Sequence, residues 1–323
     1  MKKILIFKTD KLGDLLNITP VIYNIKSNYP DCIIDLVCSN YNYSIAKYFT
    51  NDLNIIIYKK PVLFFLLSNF KNFFIKGYDA IIQLDGKNHS YLSAIFIKSK
   101  KKVCIQFVKE KYILGKSFFV YRPGRLIKFF FSKTQISFEN YNSHDNKKYH
   151  YLTLYLKLIS SLGLKIVNNE HYFPAHSIKR ISRFDDQYFY IHIDERWNNF
   201  EKSVFENINS TILYLSQNNK VVISSNINGN KIFNKIAETF KSNLSIEIIH
   251  NPKITDMISL IYFSHTCVSS HSGLVVHLAA AFNKKIIDIV SKNIFNQLDR
   301  WIPFNVKYKR VDIKNFNYKD LKF

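Results

Sequence analysis

The sequence predicts an α/β protein made of two doubly wound parallel sheets. Three observations carry that prediction. Short continuous apolar runs, which suit strands buried on both faces, alternate with segments of helical periodicity along the chain. The alternation forms two similar series, separated by a polar, proline-containing stretch at residues 168–184. The length of 323 residues fits two domains of about 150 residues each. The domains are placed at residues 1–168 and 169–323, with the C-terminal tail either in the second domain or packed back on the first.

The first series opens with Lys3–Phe7 (KILIF), a strand that runs through Lys8-Thr9-Asp10-Lys11-Leu12-Gly13-Asp14 into a helix. This is the first unit of a doubly wound domain, without the GxGxxG fingerprint of dinucleotide binders. Thr19-Pro20 supplies a cap and a first-turn proline, so the helix kinks or restarts there before Tyr29-Pro30 ends it. Residues 33–37 and 53–58 are strands, and 61–75 is an aromatic-rich helical segment. Residues 78–84 form a strand, 90–97 a helix and 102–107 a strand. Residues 120–148, crowded with Arg, Lys and aromatic side chains, read as an exposed loop region. A helix at 149–162 is stopped by Gly163.

The second series alternates in the same way. Strands are expected at 188–193, 220–224, 246–249, 266–268 and 285–290, with helices at 200–217, 231–240 and 254–262 and from Leu274 onward. The tail from Trp301 is basic and aromatic. Two such halves facing each other make a cleft, and ligands of open α/β sheets sit beyond the C-terminal ends of the strands.

Composition narrows the function classes. Hydrophobic residues make up 47% of the chain, ample for two cores. The four cysteines are scattered through apolar runs without metal-ligand spacing, which favours a reduced cytoplasmic chain over a disulfide scaffold. The start, MKKILIFK, has too short an apolar run for a signal peptide, and no window suits a membrane span. The net charge is +22, from 46 Lys and Arg against 24 Asp and Glu. Nucleic acid, an anionic membrane surface and an acidic substrate all fit that charge. So does the residue bias of an AT-rich genome, rich in Lys, Asn, Ile, Phe and Tyr.

Several residues at strand ends can carry chemistry. Asp14 follows Gly13 at a strand-to-helix turn, where it serves either as a general base or as a first-turn carboxylate complementing the helix dipole. Asp10 is the rival carboxylate, and Lys8 and Lys11 either hold an anionic acceptor or are solvated. Asp85-Gly86-Lys87 ends another strand, as an acceptor contact or a plain turn. Arg196, in His192–Trp197 (HIDERW), either clamps phosphate or pairs with Asp194 or Glu195, and Lys202 is a second cation nearby. Ser272-Gly273 forms a tight turn into a helix whose N-terminal N–H groups and dipole attract an anion such as a nucleotide diphosphate. His271 and His277 flank that turn, and His277 on an apolar helix face is equally a buried packing residue. No histidine shows metal spacing, so no metal site is expected.

Together these stretches resemble glycosyltransferase family 9, the ADP-heptose:lipopolysaccharide heptosyltransferases and their relatives. The resemblance rests on residues 3–30 (KILIFKTDKLGDLLNITPVIYNIKSNYP), 78–84, HIDERW and the block at 254–281, and it spans nearly the whole chain. It implies a GT-B fold, with the acceptor on the first domain and the nucleotide-sugar on the second. It also implies inverting, metal-independent transfer of a sugar from a nucleoside diphosphate, with no cofactor beyond a co-substrate such as ADP-heptose. By resemblance Asp14 is the catalytic base, Arg196 a phosphate-binding cation, and Ser272, Gly273 and His277 part of the donor block. The sequence departs from the family where His271 replaces the usual Asp before the Ser-Gly turn, and where one extra residue separates Gly273 from His277. A degenerate, non-catalytic sugar-nucleotide binder is therefore an alternative, and a basic nucleic-acid-binding protein a distant one. A lipid-linked or phosphorylated glycan acceptor would bring the protein to the inner face of the cytoplasmic membrane. There the basic, aromatic stretch YRPGRLIKFFF (121–131) would meet anionic headgroups, or else pack on its own domain.

Overall fold

The computed structural model describes residues 1–113, 116–138, 150–174, 178–185, 187–199, 202–227, 230–316 and 319. It divides into two compact units, Met1–Asn169 with Asn296–Trp301, and Glu170–Phe295 with Ile302–Phe323.

The first unit holds strands β1 (Lys3–Phe7), β2 (Ile33–Cys38), β3 (Asn54–Ile57), β4 (Tyr78–Gln83), β5 (Ser99–Ile113), β6 (Lys116–Arg122) and β7 (Lys133–Phe138). They lie in the order β3-β2-β1-β4-β5-β6, with β7 also paired to β5. β1 to β5 are mutually parallel, a pairing that the buried apolar runs of β1, β2 and β4 suit. One polar side chain in this interior is matched by its neighbours. Asp35 of β2 pairs with Lys3 at 3.0 Å and accepts hydrogen bonds from Tyr78 at 2.7 Å and Asn54 at 3.0 Å. The helices are α1 (Leu12–Leu16), α2 (Thr19–Asn28), α3 (Asn40–Ala46), α4 (Val62–Ser68), α5 (Asn88–Phe96) and α6 (Tyr151–Ser160). The helix after β1 restarts at Thr19, whose hydroxyl donates to the Leu16 carbonyl at 2.9 Å while Pro20 sits in the first turn. Gly163 follows α6 with φ +92°, the left-handed conformation that a glycine adopts without a Cβ clash.

One expectation is corrected. The expected exposed loop at 120–148 contains regular structure as far as it is described: the end of β6, a 3-10 turn Arg125–Phe130, and β7. Every described side chain of β6 is exposed or half-buried, so no alternation marks it as a strand. Ile127 and Phe131 turn inward and join the core beneath α4 and α5. Residues 139–149, within the stretches expected as loop and as the start of a helix, lie outside the described residues.

The second unit holds β8 (Tyr188–His192), β9 (Lys220–Ser225), β10 (Ile246–His250), β11 (Ser264–Ser269), β12 (Lys285–Val290) and β13 (Tyr308–Asp312). Their order is β10-β9-β8-β11-β12-β13, parallel throughout. The helices are α7 (Lys202–Asn218), α8 (Lys231–Thr239), α9 (Ile254–Phe263) and α10 (Gly273–Ala281). Trp197, fully buried, anchors a core with Phe205, Ile208 and Ile212 against β8, β9 and β12. In both units the strand order reverses beside the first strand, between β1 and β4 and between β8 and β11. Those are the topological switch points, where loops diverge and leave room for a ligand.

Candidate functional site

Beyond the end of β1 the chain gathers a buried polar cluster. The Lys8 amine is 2% exposed. It donates to Asp10 Oδ2 at 2.8 Å, to the Tyr155 hydroxyl of α6 at 2.8 Å and to the Leu84 carbonyl at the end of β4 at 3.3 Å. Asn42 of α3 fixes the backbone here by donating to the Lys8 carbonyl at 3.2 Å. Across the switch point, Asp85 is fully buried. Its Oδ2 accepts from the Thr9 backbone N–H at 2.7 Å, the Thr9 hydroxyl at 2.8 Å and the Ser90 hydroxyl at 2.9 Å. Its Oδ1 accepts from Gln83 and from the Lys87 backbone N–H, both at 3.0 Å. Five donors leave Asp85 no capacity for a ligand; it ties the end of β1 to the end of β4. Because Thr9 gives its proton to Asp85, its oxygen accepts from His89 Nε2 at 3.1 Å. The His89 ring stacks on Tyr58, with centroids 4.2 Å apart.

Electrostatics separate the members of this cluster. Burial pulls the Lys8 amine toward its neutral form, but Asp10, Tyr155 and Asp14 outweigh it and hold the pKa well above the ordinary value. Lys8 is thus a fixed cation. Asp10 is raised to about 7, first by burial and then by Asp14 and Asp85, with Lys8 opposing. Its Oδ1 is buried and takes no hydrogen bond from a described residue. Burial also lowers the His89 pKa, with Lys60 and Lys87 adding to the effect and Asp85 opposing it. Asp14 lies in the first turn of α1, half-buried, and no described residue donates to its carboxylate. Its charge reaches both Lys8 and Asp10. The arrangement suits holding a polar hydroxyl compound and receiving its proton. Lys11 and Lys87 are exposed at the mouths of α1 and α5.

Beyond β8 and β11 the chemistry is different. His271 has φ +52°, a left-handed conformation uncommon for a residue with a Cβ. Three contacts hold it there. Its backbone N–H donates to Asp288 Oδ1, its ring Nδ1 lies 2.5 Å from Asp288 Oδ2, and its carbonyl accepts from Arg196 Nη1 at 2.8 Å. Asp288 is fully buried in β12, opposite Ser269 in the parallel register, and also accepts from the Tyr308 hydroxyl at 2.6 Å. Arg196 Nη1 pairs in addition with Asp194 Oδ2 at 2.8 Å, so the ion-pair role expected as its alternative is present. The Arg196 side chain is nevertheless 42% exposed. Burial raises Asp194 to about 6, against the pull of Arg196 and with a push from Glu195. Asn230 positions this loop from α8: its Oδ1 caps the helix at Ile232 and Phe233, and its Nδ2 donates to the Asp194 carbonyl at 3.1 Å.

The turn therefore delivers Ser272 as the N-cap of α10 with its hydroxyl not used in capping, and Gly273 as the first helical residue. The first turn of α10 therefore starts beside Arg196, which binds the His271 carbonyl, and a helix N-terminus next to an arginine suits an anion. His277 lies deeper in α10, buried, its ring stacked on His171 with centroids 5.3 Å apart. Lys202 opens α7, and its side chain lies outside the described residues. Among the described residues, no group of three or more His, Cys, Asp or Glu is placed to hold a metal ion.

Sequence reasoning missed Thr9, His89, Tyr155 and Asp288. Thr9 sits inside the motif, so its place after β1 was a usable signal. Asp288 and Tyr155 reach their partners through tertiary contacts that no local pattern marks.

No protein-family profile matches the chain, and a search of curated proteins returns no match. Solved structures do match. The E. coli heptosyltransferase WaaC with ADP superposes with a TM-score of 0.69 at 14% identity, over 98% of this chain and 97% of that one. E. coli ADP-heptose LPS heptosyltransferase II gives 0.67 at 12% identity, over 99% and 96%. A glycosyltransferase family 9 protein from Veillonella parvula gives 0.66 at 13% identity, over 96% and 86%. The chain has the fold of these proteins, the GT-B fold of two parallel-sheet α/β units.

Proposed function

We propose that this protein is a glycosyltransferase that moves a sugar, a heptose or a similar one, from a nucleoside diphosphate to a hydroxyl of a glycan acceptor of the lipopolysaccharide-core type. The observation that carries the reading is the turn before α10. There Asp288 and Arg196 hold His271 in a left-handed conformation and leave a helix N-terminus beside a half-exposed guanidinium. A diphosphate is the ligand such a site suits. Two solved structures of the same fold, described as heptosyltransferase WaaC with ADP and with ADP-2-deoxy-2-fluoro heptose, support ADP-heptose as the first donor to test.

In this reading the donor diphosphate lies at Ser272 and Gly273, with Arg196 neutralising it. The acceptor is held at the Lys8–Asp10–Tyr155 cluster. Asp14 takes the proton from the acceptor hydroxyl. The hydroxyl oxygen forms a bond to the anomeric carbon from the face opposite the diphosphate, the carbon–oxygen bond to phosphate breaks, and the configuration inverts. The nucleoside diphosphate leaves with the bonding pair, its charge met by Arg196 and the N–H groups of α10. These groups take the part a metal ion plays in other transferases, so activity should persist in excess EDTA. Asp10 is a second candidate base, favoured by its raised pKa and its unpartnered buried oxygen.

The test is direct. Purified protein is incubated with ADP-heptose and a deacylated, heptose-deficient lipopolysaccharide core, and ADP release and product mass are followed. Product with inverted anomeric configuration supports the reading. ADP-heptose binding without transfer to any acceptor would instead support a non-catalytic binder, which the His271 departure keeps in view.

A further inference from the structure

The first unit carries an outer surface that nothing in the sugar-transfer reading uses. Its β-sheet is covered on one face by α4, the π-turn Lys71–Lys76, α5 and the 3-10 turn Arg125–Phe130. All four send side chains into one core, among them Phe65, Phe73, Tyr91, Ile127 and Phe131. Elements that bury one apolar face ordinarily turn a polar face to water. These do not. In α4, Leu63 is 66% exposed, with Phe64 and Leu67 exposed beside it. Phe70 and Ile75 continue the pattern around the π-turn, and Leu92 and Phe96 do so on α5. On the 3-10 turn Phe129 is 74% exposed, flanked by exposed Leu126 and Phe130.

The charged residues within these segments are of one sign. Residues 59–76 contain four lysines, 87–98 two lysines, and 122–133 two arginines and two lysines; none of the three segments contains an Asp or Glu. Lys59, Lys60, Lys71 and Lys76 are all exposed, as are Arg125 and Lys128. The Arg125 guanidinium lies over the Tyr121 ring at 4.7 Å and the Lys128 amine over Phe129 at 5.4 Å, cation–π contacts that keep the charges beside the exposed aromatics. No helix among the described residues is long and apolar enough to cross a membrane.

We infer that this face of the first unit docks on the surface of an anionic lipid bilayer, with the apolar side chains of α4, α5 and the 3-10 turn entering the headgroup region and the surrounding lysines and arginines pairing with lipid phosphates. Exposed apolar side chains in segments whose charged residues are all cationic are complementary to that surface, since the lipid supplies both hydrocarbon and negative charge. A soluble protein partner would need an acidic apolar patch of matching shape, for which nothing in this chain argues. The inference stands on the surface alone, whatever reaction the protein performs.

Co-sedimentation of the full chain with vesicles tests it. Binding is expected to vesicles of phosphatidylglycerol and phosphatidylcholine in equal parts, weakening as salt rises, with little binding to phosphatidylcholine alone. Lys71→Ala and Lys128→Ala should each weaken binding by about fivefold. Leu63→Ser with Phe64→Ser, and separately Phe129→Ser, should reduce it further, while thermal unfolding and ADP binding stay unchanged. Equal binding to both vesicle types, or undiminished binding by all these variants, would overturn the inference. So would a stable dimer in sedimentation equilibrium that the same substitutions convert to monomer, because a second copy would then be the occupant.

Discussion

At the end of β1, three carboxylates share one neighbourhood with a buried amine. At the end of β8, an arginine, a strained histidine and a bare helix N-terminus meet. The two places are topologically the same, each at the point where a parallel sheet reverses its strand order. What differs is what fills them. In the first unit Lys8, Asp10 and Asp85 are turned inward and hydrogen-bonded, apart from one oxygen of Asp10, while Asp14 is half-buried. In the second, Asp288 is spent on holding His271 and Asp194 on pairing with Arg196, whose side chain remains 42% exposed. One fold plan thus carries a carboxylate-rich polar cluster in one unit and an arginine beside a helix N-terminus in the other, which the proposed reading uses to accept a proton and an anion, and the difference lies in a handful of loop residues rather than in the sheets.

The comparison predicts separable losses. The largest should come from Asp14→Asn, which removes the proposed base and alters no residue of the second unit. Turnover should fall by about 10²–10⁴-fold, with donor affinity unchanged by calorimetry. Next is Arg196→Ala, which removes a charged contact at the anion site. Donor affinity should weaken by about ten- to hundredfold, while the first unit's stability in urea is unaltered.

Two further substitutions probe how each site is held. Thr9→Val removes a hydroxyl that donates to Asp85 and accepts from His89. It should destabilise the first unit by about 1–3 kcal/mol, measured by urea unfolding. His271→Asp restores the residue expected from the resemblance, but places a carboxylate against buried Asp288. It should destabilise the second unit by about 1–2 kcal/mol, and adding Asp288→Asn should recover most of the loss. If His271→Asp alone were as stable as the wild type, the proposed role of Asp288 would be wrong.

The smallest effect is a pH dependence. A carboxyl whose folded pKa is raised favours its protonated form in the fold. Its stabilisation is complete below the unfolded value and is lost as pH rises through the folded one. For Asp10 that window runs from 3.8 to about 7, and for Asp194 from 3.8 to about 6. Asp10→Asn should flatten the fall in stability across its window. Urea midpoints measured at several pH values would reveal it.

Much of this architecture is legible in the sequence because buried parallel strands are compact apolar words. KILIF, YFYIH and KVVISS read directly as strands, and the residues just after them are where sites form. What stays hidden depends on distance along the chain or on exposure. His271 and Asp288 meet only because β11 and β12 are neighbours, so the substitution that looks like a loss in the linear motif is accompanied by a carboxylate from the next strand. Tyr155 reaches Lys8 from a helix 147 residues away. β6 and the 3-10 turn beside it carry exposed aromatics without alternation, and so resemble a loop. The same exposure makes that surface a candidate for lipid contact.

The central claim is that the two switch points divide the work, acid–base chemistry in one and donor binding in the other. Its most direct test measures ADP-heptose binding and sugar transfer side by side in Asp14→Asn and Arg196→Ala. The account predicts that the first variant binds donor normally and fails to transfer, and that the second loses donor affinity. A well-folded Asp14→Asn protein with near-normal turnover, or an Arg196→Ala protein that binds donor as tightly as the wild type, would contradict it.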